Sequence, residues 1–229
     1  RGLITYVMAL MNGARVGIAA QGVGLSEAAY RAALAYAVER RQFGKAIFDI
    51  PAVSEMLVDM KLGVETSRSL LYETAMAVDM EQTLEHKLEA LDRKHPDYAA
   101  LRQKLAHYRK LAAVLTPMAK YYCCNTSLFN TTANIQVHGG SGFMRDYEAE
   151  RYWRDARITT IYEGTSELQA VAILAGFGVG ALVRRWRSGR RARGIGAALI
   201  ALIALEYLVT PFPYGISEVR AQPATTWLQ

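Results

Sequence analysis

The stretch "ITTIYEGTSELQ", Ile158–Gln169, sets one carboxylate, Glu163, between a β-branched, aromatic run and a Gly-Thr turn. Ser166 and Gln169 have capping-box spacing, which predicts a helix beginning at Ser166. A short helix is expected over 146–155. The acid therefore stands in a loop between two helices. Two readings of it stay open. In one it is a solvated turn residue. In the other the loop faces a cleft, where Ile161, Tyr162 and Gly164 solvate the carboxylate poorly. Desolvation would raise its pKa and make it a better base at neutral pH. Removing a proton from carbon next to a carbonyl needs such a tuned acid.

Upstream lies "QVHGGSGF", Gln136–Phe143. Gly139, Gly140 and Gly142 let backbone N–H groups approach a ligand closely, and Gln136 can donate and accept at the helix end before them. Such a loop is either a tight turn or a pyrophosphate cradle, and His138 beside it is either structural or a ligand. The helix before it is expected over roughly 107–135, with Leu111, Val114, Leu115, Met118 and Ala119 at helical spacing. Before that comes "EQTLEHKLEALDRKHPDYAALRQKLAHYRK", densely charged and of mixed sign, with "KHPD" near its middle. It reads as a solvated helical hairpin over about 80–108.

A further helix is expected over 51–80, with Pro51 as its first residue and Val53, Met56, Leu57, Met60 and Leu62 on or near one face. Residues 1 to about 41 read as a long apolar helix. Gly13, Gly17, Gly22 and Gly24 are costly there, so they point to close approach by another backbone or a ligand. "ERRQFGKAI" follows. Arg40 or Arg41 could pair with a phosphate and Phe43 could stack on a planar ring. Equally, the arginines could complement a helix C-terminus that Gly44 ends. No alternating strand pattern of useful length is present, and the fold class expected is all-α, an up-and-down four-helix bundle.

Composition agrees: 52% of residues are hydrophobic and 21% charged, with only 6 prolines. The formal net charge of +6 equals the charge of one cluster, Arg184, Arg185, Arg187, Arg190, Arg191 and Arg193. The basic balance therefore describes a tail and gives no reason to expect nucleic-acid binding. Cys123 and Cys124 are adjacent, so no disulfide framework is implied, a reducing compartment is expected, and no spacing suggests a metal site. Opening at "RGLITYVMAL", in mid-element, the chain reads as part of something longer. The tail, 176–229, carries the arginines and then "GIGAALIALIALEYLV". That run is short for a membrane span, which needs about 20 apolar residues. An extra C-terminal helix packing on a larger protein and a membrane contact both remain open.

Three separated stretches, "YAVERRQFGKAI", "QVHGGSGF" and "RDARITTIYEGTSELQ", resemble in kind, order and spacing the C-terminal helical domain of the acyl-CoA dehydrogenases. The resemblance covers residues 1–175, with 80–108 as an inserted hairpin like that of larger bacterial-type members, and leaves 176–229 without a role. It implies oxidation of an acyl-CoA thioester to the trans-2-enoyl-CoA, with FAD as cofactor and an electron-transferring flavoprotein as electron acceptor. It also implies a homodimer or homotetramer, in the bacterial cytoplasm or a mitochondrial matrix. Glu163 is then the base that takes the α-proton while the β-hydrogen leaves as hydride to the flavin. Gly164 lies beside the thioester and Arg15 near CoA. Thr165 and Glu167 contact FAD, although relatives often carry Gln at the latter position. Arg40, Gln42 and Phe43 reach the FAD, usually of a neighbouring subunit, and Gln136, Gly139 and Gly140 hold its ADP portion. Some relatives place the acid just before the arginine matching Arg15; here that residue is Ala14, which leaves Glu163. The alternatives are a non-catalytic relative acting as an assembly or CoA-binding module, and a tail-anchored interaction protein.

Overall fold

In the computed structural model, which describes residues 2–174 and side chains from 13 onward, the first apolar run is one helix, α1 (Gly2–Glu39). The chain then makes a tight hairpin of two short strands, β1 (Arg41–Gln42) and β2 (Lys45–Ala46), pairing Arg41 with Ala46 and Gln42 with Lys45. Sequence periodicity did not suggest this hairpin. Its central residues, Phe43 and Gly44, have φ of +52° and +79°. Positive φ at both positions is what a type I′ turn requires. Gly44 thus turns a hairpin; it does not end α1.

A single 3₁₀ turn, Ile47–Asp49, leads into α2 (Pro51–Ala90), where proline takes the first turn as expected. Helix α3 (Tyr98–His138) returns, and a 3₁₀ turn over Gly139–Phe143 and a short α4 (Ala149–Thr159) follow. A last helix starts at 166 and is described to 174. The charged hairpin is not separate from the bundle. Its arms are the outer ends of α2 and α3, which run unbroken into the core, and Arg109 bridges Glu81 at 3.1 Å and Glu85 at 2.6 Å between them. The described residues lie in one compact unit, Arg1–Gly176. The arginine cluster, the apolar tail and the extra helix expected there fall outside the described residues. No described helix is long and apolar enough to cross a membrane.

The core has two clusters along the same three helices. Ala29, Ala33 and Ala37 of α1 meet Leu57 and Met60 of α2 and Ala133 and Val137 of α3. At the other end Ala19 and Val23 meet Leu71, Ala119 and Cys123. Low residue numbers on α2 thus pair with high ones on α1 and α3, so the helices run up, down, up. Met60 and Val64 are fully buried. Each such side chain stabilises the fold by about 1.5–3 kcal/mol. Small residues on α1 allow close packing: a β-carbon on Gly22 would lie 2.8 Å from the Cys123 carbonyl oxygen. Cys123 and Cys124 are buried free thiols, and burial pushes Cys123 up to about 12, so it is not a thiolate near neutrality.

A charged network ties α1 to α2. Glu27 accepts hydrogen bonds from Arg31 at 2.6 Å and from Arg68 at 2.7 Å, and Arg68 also reaches Glu65. Partial burial would raise the Glu27 pKa, but the two guanidinium groups outweigh it and hold the carboxyl below its ordinary value. A carboxylate depressed in the folded state stabilises fully above its unfolded pKa and stops doing so as pH falls through the folded value. The stability difference between the parent chain and Glu27→Gln should therefore be constant above about pH 5 and shrink below about pH 4.3. Urea unfolding over a pH series measures it. A difference that does not change with pH would remove Glu27 from the linkage.

Candidate functional site

The turn after α4 is closed by Ser166 N–H donating to the Thr160 carbonyl at 3.0 Å. Within it Glu163 has φ +55° and Gly164 φ +95°. A non-glycine residue in the left-handed region costs about 1–2 kcal/mol. Side chains from three elements compensate. Arg15 of α1 donates to the Glu163 carbonyl at 3.2 Å. Lys120 of α3 donates to the Gly164 carbonyl at 2.7 Å. Gln169 of the last helix donates to both, at 3.3 and 3.2 Å. Tyr162 donates to Gln21 of α1. The backbone at Glu163 is thus held from several sides, while within the described residues its half-buried carboxylate accepts no hydrogen bond.

The cap of the last helix differs from the expected one. Thr165, not Ser166, takes the N-cap role, accepting from Leu168 N–H at 3.4 Å. Ser166 turns inward and accepts from Asn125 at 3.2 Å. Gln169, expected as the far half of a capping box, spends its amide on the Glu163 and Gly164 carbonyls.

Lys120 was not singled out from the sequence. It is 0% exposed. Burial lowers its pKa and nearby Arg15 adds to that, while Cys124, Glu167 and Glu163 oppose it. A signal for it did exist. Thr116, Lys120, Cys123 and Ser127 recur at helical spacing on the buried side of α3. A lysine at such a position has to have an internal partner.

The other predicted residues gather at the C-terminal end of α3, away from Lys120 in its middle. Arg40, Gln42 and Phe43 lie on the exposed hairpin, with Phe43 at its tip and 85% exposed. Gln136, Gly139 and Gly140 lie at the end of α3. Tyr36 joins the two groups by stacking on His138, with ring centroids 4.2 Å apart. His138 bonds the Asn134 carbonyl at 2.8 Å, and burial lowers its pKa, so it stays neutral and acts as structure. Gly139 has φ +60°, and a β-carbon at Gly139 or Gly140 would meet nothing within 4 Å. The backbone there is open to close approach. Beside it a mostly apolar groove of about 580 Å³ is lined by Gln136, Phe143, Arg145 and Trp153 among others. From Lys120 to Gln136 α3 rises about 24 Å, at 1.5 Å per residue. The structure therefore brings Arg15, Glu163, Gly164, Thr165 and Glu167 to one end, and Arg40, Gln42, Phe43, Gln136, Gly139 and Gly140 to the other.

Residues 2–178 match the family model "Acyl-CoA dehydrogenase, C-terminal domain", and the chain belongs to that family. It is 36% identical over 166 residues to the short-chain specific acyl-CoA dehydrogenase of Clostridium acetobutylicum, covering 72% of this chain and 36% of that one. It is 32% identical over 166 residues to the caffeyl-CoA reductase–Etf complex subunit CarC of Acetobacterium woodii, with the same two coverages, 72% and 36%. The structure of an acyl-CoA dehydrogenase complexed with FAD from Bacillus anthracis aligns with a TM-score of 0.62 at 27% identity, covering 78% of this chain and 29% of that one. The chain thus spans little more than a third of the length of these curated relatives.

Proposed function

We propose that this chain supplies the C-terminal bundle of an FAD-dependent acyl-CoA dehydrogenase, in which Glu163 is the base. The observation that carries this is the Glu163–Gly164 turn: two successive carbonyls tied down, and a carboxylate left without a protein donor among the described residues. Such a group is oriented by its backbone and open to a substrate. Glu163 takes the α-proton of the thioester, Gly164 gives the acyl carbon room to approach, and Arg15 adds positive charge where CoA would lie. FAD, when bound, supplies the acceptor for the β-hydride. The open backbone at Gly139 and Gly140 fits a pyrophosphate-bearing cofactor, with Gln136, Arg40, Gln42 and Phe43 as its neighbours. Thr165 and Glu167 would contact the flavin that faces Glu163.

The rise of about 24 Å along α3 from Lys120 to Gln136, at 1.5 Å per residue, favours an assembly in which one copy serves two flavins. Its acid would face one, and its hairpin and glycine loop would reach that of a neighbour. A homodimer or homotetramer meets that need. An electron-transferring flavoprotein is the proposed electron acceptor, in keeping with the Etf complex to which the Acetobacterium woodii relative belongs. The bacterial cytoplasm is the proposed location, or a mitochondrial matrix in a eukaryote.

The test uses the intact, flavin-loaded enzyme under anaerobic conditions, mixed with saturated acyl-CoAs of graded chain length. At least one should bleach the flavin and yield its 2-enoyl-CoA. A flavin that none of them bleaches would contradict the proposal.

A further inference from the structure

We propose that Lys120 is a positioning residue for this reaction: by holding the Gly164 carbonyl it fixes the direction in which Glu163 presents its carboxylate. The inference rests on the reading of Glu163 as the base. Lys120 is wholly buried and forms no ion pair within 4 Å among the described residues. A side chain needed only to fill that volume would be apolar, since a buried ammonium is costly even where, as here, the carboxylates of Glu163 and Glu167 act on it from beyond ion-pair distance. Among the described residues its hydrogen-bond partner is the Gly164 carbonyl, at 2.7 Å.

The geometry explains why that carbonyl is worth holding. Glycine is the residue with the widest choice of backbone conformations. Gly164, at φ +95°, follows directly on Glu163 at φ +55°. Arg15 and Gln169 anchor the peptide plane before Gly164, and Lys120 and Gln169 anchor the plane after it. Fixing two successive planes fixes both dihedral angles of the glycine between them. Among the described residues Lys120 is the one side-chain donor that grips only the second plane. Without it the second plane is left to the longer bond from Gln169, at 3.2 Å, so Gly164 regains part of its freedom and the carboxylate one residue away loses its alignment with the substrate α-carbon.

The experiment is rapid anaerobic mixing of the full-length, flavin-loaded enzyme with an acyl-CoA that bleaches the parent. Lys120→Met should retain flavin and reduce it about 100-fold more slowly, the cost of an ångström-scale misplacement. The substrate concentration giving half the maximal rate should move by no more than about threefold, because binding is left intact. Combined with Glu163→Gln, Lys120→Met should slow the reaction less than about twofold further, because it acts through that acid. Leu84→Ala, a core change far along α2, should lower the melting temperature and leave the rate per bound flavin unchanged. Lys120→Gln, which keeps an N–H donor, should recover part of the rate.

A Lys120→Met rate within about threefold of the parent overturns the proposal, as does a loss that multiplies fully with that of Glu163→Gln. If neither Lys120 variant holds flavin while Leu84→Ala does, Lys120 is a folding residue and the proposal also falls. A Glu163→Gln enzyme reduced at the parent rate removes the base assignment itself, and that result is read from the single variant alone.

Discussion

Glu163→Gln in the intact enzyme is expected to keep the yellow flavin spectrum and to slow bleaching by saturated acyl-CoA about 1,000-fold, within the usual range for loss of a general base. Glutamine has nearly the same shape as glutamate, and the contacts at this turn go to the Glu163 and Gly164 backbone carbonyls. The turn should therefore persist. What disappears is the ability to accept a proton. The Glu163 side chain is not among the groups proposed to hold FAD, so cofactor content should not change. Stopped-flow absorbance under anaerobic conditions gives both quantities. Undiminished bleaching would exclude Glu163 as the base.

Gly22→Leu should produce the largest loss of stability. A β-carbon there would lie 2.8 Å from the Cys123 oxygen, 3.0 Å from its carbonyl carbon and 3.3 Å from the Cys124 nitrogen. These are backbone atoms inside α3, which cannot rotate aside as a side chain can. The helices α1 and α3 would have to separate, disturbing Ala19, Val23, Ala119 and Cys123. A cost of about 3 kcal/mol is expected, the upper end for overpacking a close-packed core. Gly24→Ala is the internal comparison. Nothing lies within 4 Å of its would-be β-carbon. It should stabilise the helix by about 0.5–1 kcal/mol. Urea unfolding of the two variants should therefore shift in opposite directions. Equal shifts would mean that Gly22 does not set the α1–α3 distance.

What could be read in the sequence was what repeats. Leu57 and Met60, placed on one face by spacing, sit in the core, and α2 begins at Pro51. Pro96 and Asp97 fall in the connection between α2 and α3, as "KHPD" suggested. The hairpin at 41–46 was not legible, because two-residue strands show no alternation and an aromatic residue at positive φ is not expected from composition. The order and spacing of three short motifs pointed to Glu163, whereas local chemistry alone left it a turn residue. The braces around it are not legible in the sequence for a physical reason. Arg15, Lys120 and Gln169 reach the turn through bonds across long sequence separations or to backbone carbonyls, which carry no residue-type signature. Close approach is expected at Gly22, and the structure supplies the partner, Cys123; Gly13, Gly17 and Gly24 meet nothing within 4 Å among the described residues.

Proton removal can be observed apart from hydride transfer. An acyl-CoA with sulfur in place of the β-carbon has no β-hydrogen to give up but still carries exchangeable α-hydrogens. Incubated in D₂O with the intact, flavin-loaded enzyme and followed by mass spectrometry, it should take up deuterium at the α-carbon. With the Glu163→Gln enzyme, uptake should fall to the rate seen without enzyme. Equal uptake with both enzymes would contradict the account.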